Sequence, residues 1–286
     1  MSPIIIIGMS RSGTSMLTKM LEGLGLFVGK KLTNNHEAVF FRKINDWLLT
    51  QSSAGLEDPG SIKYLLQDKQ ARALYGEFVE FSMTTPDVIS FLGFRNYYQY
   101  RTPQNLDIPW GFKDPRNTFT LPFWLDLFPD AKVIHIYRHP LDIAGSLITR
   151  RKRGLDRLQS RHTNLKPLYW YYLMQKFLMR NRVFVDIRGG NLEEAFAIWE
   201  EYLEQARTHV ANLKDRAIEI QYEDFLENPG VILKSTAEFC GLNASDSEIE
   251  SISSGVNKSR AYAYLNEPEL KAYSLQIADR LKTYGY

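Results

Sequence analysis

A single cysteine, Cys240, stands in 286 residues. No internal disulfide can form and no cysteine-based metal cluster can be built, which suits a reducing compartment better than a secreted scaffold. The first residues lack a basic segment and a small-residue cleavage site before Ile4 to Ile7, so they read as a strand and the chain is expected to be soluble and cytoplasmic. No uninterrupted apolar run approaches a bilayer's thickness, and no membrane span is expected. Charge of one sign is missing as well. Lys and Arg number 35 against 33 Asp and Glu, a formal charge of +2, so no overall field calls for nucleic acid, and any anion site must be local. With 18 Gly and 12 Pro among 44% hydrophobic and 13% aromatic residues, disorder, collagen and low-complexity classes are excluded and one sizeable core is affordable.

Four β-rich segments, Ile4 to Gly8, Trp110 to Lys113, Lys132 to Tyr137 and Ala217 to Tyr222, are separated by helical patterns. Leu17, Met20, Leu21 and Leu24 mark the first helix, with Gly25 placed to stop it. Further helices are expected over Ala38 to Leu49, Ile62 to Met83, Phe119 to Leu127, Leu141 to Arg151, Leu192 to Leu213 and Pro229 to Cys240. The near-continuous apolar run of Lys132 to Tyr137 suggests burial on both faces, as in a parallel sheet covered by helices. One α/β domain over residues 1–286 is expected, with segments 86–109 and 154–190 fitting the rhythm poorly and read as insertions.

Between the first strand and first helix lies Gly8-Met9-Ser10-Arg11-Ser12-Gly13-Thr14-Ser15. Strand, glycine loop and helix start together make a phosphate cradle, because turned backbone N–H groups, the helix N-terminus and the Thr14 and Ser15 hydroxyls can converge on one anion. The plainer alternative is a tight turn with a capped helix. A nucleoside triphosphatase loop needs Gly-Lys-Ser/Thr; here Gly13-Thr14-Ser15 lacks the lysine, and Arg11 supplies a cation two residues earlier. A second anion site is suggested after the third strand by Arg138-His139-Pro140-Leu141-Asp142-Ile143-Ala144-Gly145-Ser146. Arg138 stands at the carboxyl end of a strand, where α/β proteins bind ligands, and can grip a phosphate bidentately. A surface ion pair of Arg138 with Asp142 is the alternative.

Together these segments resemble the sulfotransferases that use 3′-phosphoadenosine 5′-phosphosulfate (PAPS). Arg11-Ser12-Gly13-Thr14 matches that family's 5′-phosphosulfate loop. Arg138, Pro140, Asp142 and Ser146 match its 3′-phosphate motif, and Tyr222-Glu223-Asp224 its Tyr-Glu-Asp segment after a late strand, where the Tyr lies near the adenine. The resemblance runs from Ile4 to about Leu242. It implies a three-layer P-loop-type fold, a central parallel sheet flanked by helices, with helical insertions. It implies that Arg11, Ser12, Gly13, Thr14 and Ser15 hold the phosphosulfate, that Arg138 and Ser146 select the 3′-phosphate, and that adenosine 3′,5′-bisphosphate is the product, without a metal. The acceptor would be a small molecule, glycan or lipid. The family's basic loop near the C-terminus is represented only by Lys258-Ser259-Arg260, and Arg260 is the candidate to replace it.

The family's strand-end lysine is matched by Lys113, with Arg116 close by, although either could pair with Asp114 as scaffold. The cytosolic branch places a histidine base after that lysine; here Lys113-Asp114-Pro115 stands instead. The base must come from elsewhere, and His36 and Glu37 compete for the role. On a helix from Ala38, Glu37 aligns with Ile44 and Leu48 on the apolar face, where desolvation would make a carboxylate more basic. Asn34 with Glu37 also resembles a capping box. A P-loop-type kinase and a non-catalytic nucleotide- or polyanion-binding module are the alternatives to sulfuryl transfer. Arg150-Arg151-Lys152-Arg153 could form a nucleic-acid patch but reads rather as a solvated helix end, with an acidic or already sulfated acceptor as the alternative. Tyr169 to Tyr172 could stack on sugar rings or cover a site, and fits buried helix packing or a homo-oligomer interface equally well. His135 reads as a core histidine and Cys240 as core filler.

Overall fold

A computed structural model of the chain describes residues 1–179 and 188–286. In chain order the elements are β1 (Ile4–Ile7), α1 (Thr14–Gly23), α2 (Val39–Gln51), α3 (Ile62–Gln67), α4 (Lys69–Ser82), α5 (Ile89–Tyr100), β2 (Gly111–Lys113), α6 (Asn117–Leu127), β3 (Lys132–Tyr137), α7 (Pro140–Asn164), α8 (Lys166–Leu178), α9 (Leu192–Leu213), β4 (Ala217–Gln221), α10 (Tyr222–Glu227), α11 (Pro229–Phe239), α12 (Asp246–Ser253), α13 (Pro268–Gln276) and α14 (Ala278–Thr283). They gather into two compact units, Met1–His139 with Glu201–Tyr262, and Pro140–Glu200 with Ala263–Tyr286.

The first unit holds the sheet, four parallel strands in the order β2-β1-β3-β4. Side chains alternate along a strand, and β1 divides its isoleucines accordingly. Ile5 and Ile7 enter a core with Phe41, Phe91, Trp110, Phe112 and Trp124, whereas Ile4 and Ile6 enter another with Leu17, Leu21, Ile134, Phe225 and Leu233. Both faces are covered by helices, as the sequence leads one to expect of continuous apolar strands. The first core is aromatic and closely stacked, with the Phe41 and Phe112 rings 3.9 Å apart and nearly parallel.

In the second unit, Phe196 and Trp199 of α9 gather with Tyr284, and Arg280 pairs with Glu193 and Glu200 at 2.7 and 2.8 Å.

Several expected boundaries are corrected. Ile62 to Met83 is two helices, because the Asp68 carboxylate accepts from the N–H groups of Gln70 and Ala71 and begins α4 afresh. The helix expected to end at Arg151 runs on to Asn164, through Gly154. Segment 86–109 contains α5, bent at Gly93 with φ +72, between two short 3₁₀ turns. Segment 154–190 carries the end of α7 and all of α8, and its residues 180–187 lie outside the described residues. Among the described residues, no helix is long and apolar enough to cross a membrane.

Candidate active site

Parallel pairing sets every strand's carboxyl end on one edge of the sheet. At that edge β1 delivers Gly8, β2 delivers Lys113, β3 delivers Arg138 and β4 delivers Tyr222. Three motif segments far apart in sequence, the glycine loop, Arg138 and Tyr222, are thereby brought to one side of the first unit.

The glycine loop is built by backbone conformations that most residues avoid. Gly8 has φ +130, and a Cβ there would stand 2.3 Å from the Ile136 carbonyl oxygen; Gly13 has φ +97 and is the N-cap of α1. Arg11 is held at φ +76, a strained value of the kind that collects at functional sites, and its side chain is exposed. Ser12 is buried and donates its hydroxyl to the Met9 carbonyl at 2.7 Å, closing the loop from inside. Thr118 Oγ1 accepts from the Gly8 N–H at 3.1 Å. By their place in the first turn, the Thr14 and Ser15 N–H groups lack an intrahelical acceptor and bear the positive end of the α1 dipole.

Tyr222 ties this loop to the end of β3. It is 3% exposed, and a Cβ at Gly13 would meet its ring at 2.4 Å, so only glycine lets the loop lie so close. Over the same ring stands the Arg138 guanidinium, 4.8 Å from the centroid, while Arg138 also donates to the carbonyl of Arg260 at 2.6 Å. The next residue, Glu223, is buried and accepts from the His139 N–H at 2.9 Å, which fixes the backbone beside Arg138. Burial and the Arg138 charge hold the His139 imidazole down at about 3. The Arg260 side chain is exposed. Ser146 lies on α7 in the second unit and is half-buried, and there Asp142 accepts from the Tyr264 N–H at 2.7 Å.

Lys113, the last residue of β2, has a side chain only 1% exposed. Its ammonium donates to Ser15 Oγ of the glycine loop at 3.2 Å and to the Asn35 carbonyl, and it lies 3.5 Å from Glu37 Oε1. Burial lowers its pKa from the ordinary lysine value, against the charge of Glu37. Glu37 is buried too, but not by the route the helical wheel suggests. Helix α2 starts only at Val39 with Ala38 as N-cap, so no capping box forms with Asn34. Instead residues 33–37 make a closed turn in which the Thr33 N–H donates to the Glu37 carbonyl at 2.9 Å and the Thr33 hydroxyl donates to Glu37 Oε2 at 3.2 Å. That turn sends Glu37 inward and leaves His36, at φ +62, paired with Glu22 at 2.6 Å.

From Lys113 an alternating chain of charges continues, of which sequence reasoning offered only the Arg116–Asp114 pair. Glu37 Oε2 lies 3.8 Å from Arg42, Arg42 lies 3.7 Å from Asp46, Asp46 meets Arg116 at 2.6 Å, and Arg116 meets Asp114 at 2.9 Å. Buried Asn45 donates to Asp114 and Asn117 at 3.1 and 2.8 Å and accepts from Thr120 and Trp124, which anchors the far end in the aromatic core. Burial raises the Asp46 carboxyl; Arg116 is pushed upward because Asp114 and Asp46 outweigh its own desolvation. Arg42 and Asp46, four apart on one helix face, were the signal available in the sequence.

The other face of α2 opens on a cleft of about 470 Å³ lined by Phe40, Lys43, Trp47, Phe78, Phe81 and Asp87, among others. His135 is indeed buried, bonded to Glu219 at 2.8 Å, and burial pushes the Cys240 thiol up to about 12. Among the described residues, no group of three or more His, Cys, Asp or Glu is placed to hold a metal ion.

Several solved structures are similar to this chain. The sulfotransferase domain from the curacin biosynthetic pathway is similar at 15% identity, with 97% of each chain covered and a TM-score of 0.47. The sulfotransferase domain of the Synechococcus PCC 7002 olefin synthase is 20% identical over 99% of this chain and 94% of that one, TM-score 0.46. A sulfotransferase from Alicyclobacillus acidocaldarius is 17% identical over 99% and 95%, TM-score 0.47. No curated protein matches the sequence. A family model described as the sulfotransferase family matches residues 3–188, more than half of the chain and a span that includes the glycine loop, Glu37, Lys113 and Arg138. On that match the chain belongs to the sulfotransferase family.

Proposed function

We propose that the chain moves a sulfuryl group from PAPS to an acceptor hydroxyl or amine by in-line displacement, leaving adenosine 3′,5′-bisphosphate. The observation that carries the reading is the position of Lys113, whose ammonium reaches Ser15 on the donor side and Glu37 on the other. The residues present suit such a donor: a strained glycine loop at a helix N-terminus for one anion, and a guanidinium held on a tyrosine ring for a second. In this reading Arg11 to Ser15 hold the phosphosulfate, Arg138 with Ser146 reads the 3′-phosphate, and Tyr222 and Arg260 border the nucleotide. The donor supplies the sulfuryl group; the protein supplies orientation, charge and a base.

Glu37 takes the acceptor proton as the acceptor oxygen or nitrogen attacks sulfur. Lys113 and Arg11 neutralise charge that develops on the departing oxygen, with no reorganisation needed because the ammonium is already held. Glu37 is preferred to His36 because it lies 3.5 Å from the Lys113 ammonium, whereas His36 pairs with Glu22. The cleft beside Trp47 receives the apolar part of the acceptor, with residues of segment 86–109 on its wall. The whole chain acts as one sulfotransferase domain.

The test is incubation with PAPS and panels of sugar, lipid, phenol and amine acceptors, reading sulfated product by mass spectrometry. Sulfated product that disappears in Glu37→Ala supports the reading. Nucleotide binding without product from any acceptor class, or turnover of ATP instead, refutes it.

A further inference from the structure

Helix α8 of the second unit buries none of its residues. At about 100° per residue, Tyr169, Tyr172, Leu173 and Lys176 share one face, and these are its half-buried residues. That face meets α7, where His162 lies 5.1 Å from the Tyr169 ring and the Arg161 guanidinium 5.2 Å from the Tyr172 ring. The remaining half-cylinder presents Leu168, Trp170, Tyr171, Met174, Phe177 and Leu178, each between 55% and 77% exposed. Gln175 is the one polar side chain among them. A continuous apolar face turned outward marks an interaction site.

The charge around it says what kind. Residues 150–178 contain eight Lys and Arg and a single acid, Asp156, so the flank is strongly basic although the whole chain is near neutral. Lys152, Arg153, Arg157 and Arg161 of α7 are exposed, as is Lys166 at the edge of the apolar face. An apolar face of this kind with a basic border is what an interfacial helix presents.

We propose that the α7–α8 hairpin docks on an anionic lipid bilayer, with α8 lying in the plane of the interface and the arginines of α7 near the head groups. Trp170 and Tyr171 sit where amphipathic rings favour the head-group level, and the cations meet the negative surface. The inference stands independently of the reaction the chain performs.

The test is sedimentation of the full chain with phosphatidylcholine vesicles, with and without phosphatidylglycerol, together with tryptophan emission. Trp170 is the exposed one of five tryptophans. The expected result is co-sedimentation with the anionic vesicles only, weakened by salt, and a blue shift that is missing in Trp170→Phe. Met174→Glu with Phe177→Glu should lower partition by at least about tenfold, and Arg153→Gln and Arg157→Gln by about fivefold each, with circular dichroism unchanged. Absence of sedimentation, equal sedimentation with neutral vesicles, or loss in the Glu variants of a dimer seen by light scattering without lipid would overturn the proposal.

Discussion

At the carboxyl edge of the sheet, Lys113, Glu37, Arg116 and Asp114 are ionisable and almost wholly buried, whereas on α8 Trp170, Phe177 and Leu178 are apolar and largely exposed. Both regions depart from the ordinary partition of residues between inside and outside, but they do so in different ways. Each of the buried charges is placed against an opposite charge, so their geometry is set before any ligand arrives. The exposed side chains of α8 are left more than half in solvent by the chain's own packing. Such departures are where local rules yield to function. The first region thus reads as a preorganised site, the second as a surface completed by something else.

The comparison can be broken most severely at Glu37. Glu37→Ala is expected to lower kcat by about 10²–10⁴ while adenosine 3′,5′-bisphosphate still binds, as read by steady-state rates beside calorimetry. Next comes Lys113→Met, which keeps the apolar stem and removes the charge. It should cost about 10²–10³ in kcat and, by leaving Glu37 without its closest cation, about 3–5 kcal/mol of stability. Pairing it with Glu37→Gln should recover part of that stability in a double-mutant denaturation cycle. Additive losses would show that the two groups do not interact.

Acid sharpens the contrast further. Burial lowers the pKa of His135, His139 and His209, with His139 at about 3 against the usual 6.5. The unfolded chain therefore binds more protons below pH 6.5, and stability, full above that pH, should fall as the pH drops toward about 3. For His139 alone the loss is on the order of 5 kcal/mol, and denaturation midpoints of His139→Gln should fall less steeply over this range. In the cleft, Trp47→Ala should raise the acceptor KM about tenfold with kcat little changed, the sign of lost binding rather than lost chemistry. Smallest is Met174→Gln on α8, expected to move the unfolding free energy by no more than about 0.5 kcal/mol, because that side chain has little internal packing to lose.

Much of the framework is legible in the sequence because it is local. The apolar run of Lys132 to Tyr137 and the helix of Leu192 to Leu213 match their observed limits, since each carries its burial in its own periodicity. The glycine loop was legible for the same reason, as strand, turn residues and helix start are contiguous. Helix α8 was not, because its apolar residues face outward and no stripe points to a core. The run of α7 beyond Arg151 was hidden by Gly154 and by a basic stretch without a strong apolar pattern. Glu37 shows the limit most clearly. Its inward placement was expected from a helical wheel, yet it arises from the Thr33 turn before α2, and its partners come from β2 and from the next helix. Similarly, Tyr222 against Gly13 and under Arg138 joins three strand ends, a relation carried by sheet order rather than by any single segment.

The most direct measurement is calorimetric titration of the intact protein with adenosine 3′,5′-bisphosphate beside ADP and 5′-AMP, repeated on Arg138→Ala. A strong preference for the 3′-phosphorylated nucleotide, abolished by the substitution, is the expected result. Equal binding of the three nucleotides, or a preference that survives loss of Arg138, would contradict the assignment of a PAPS-type donor site to this edge of the sheet.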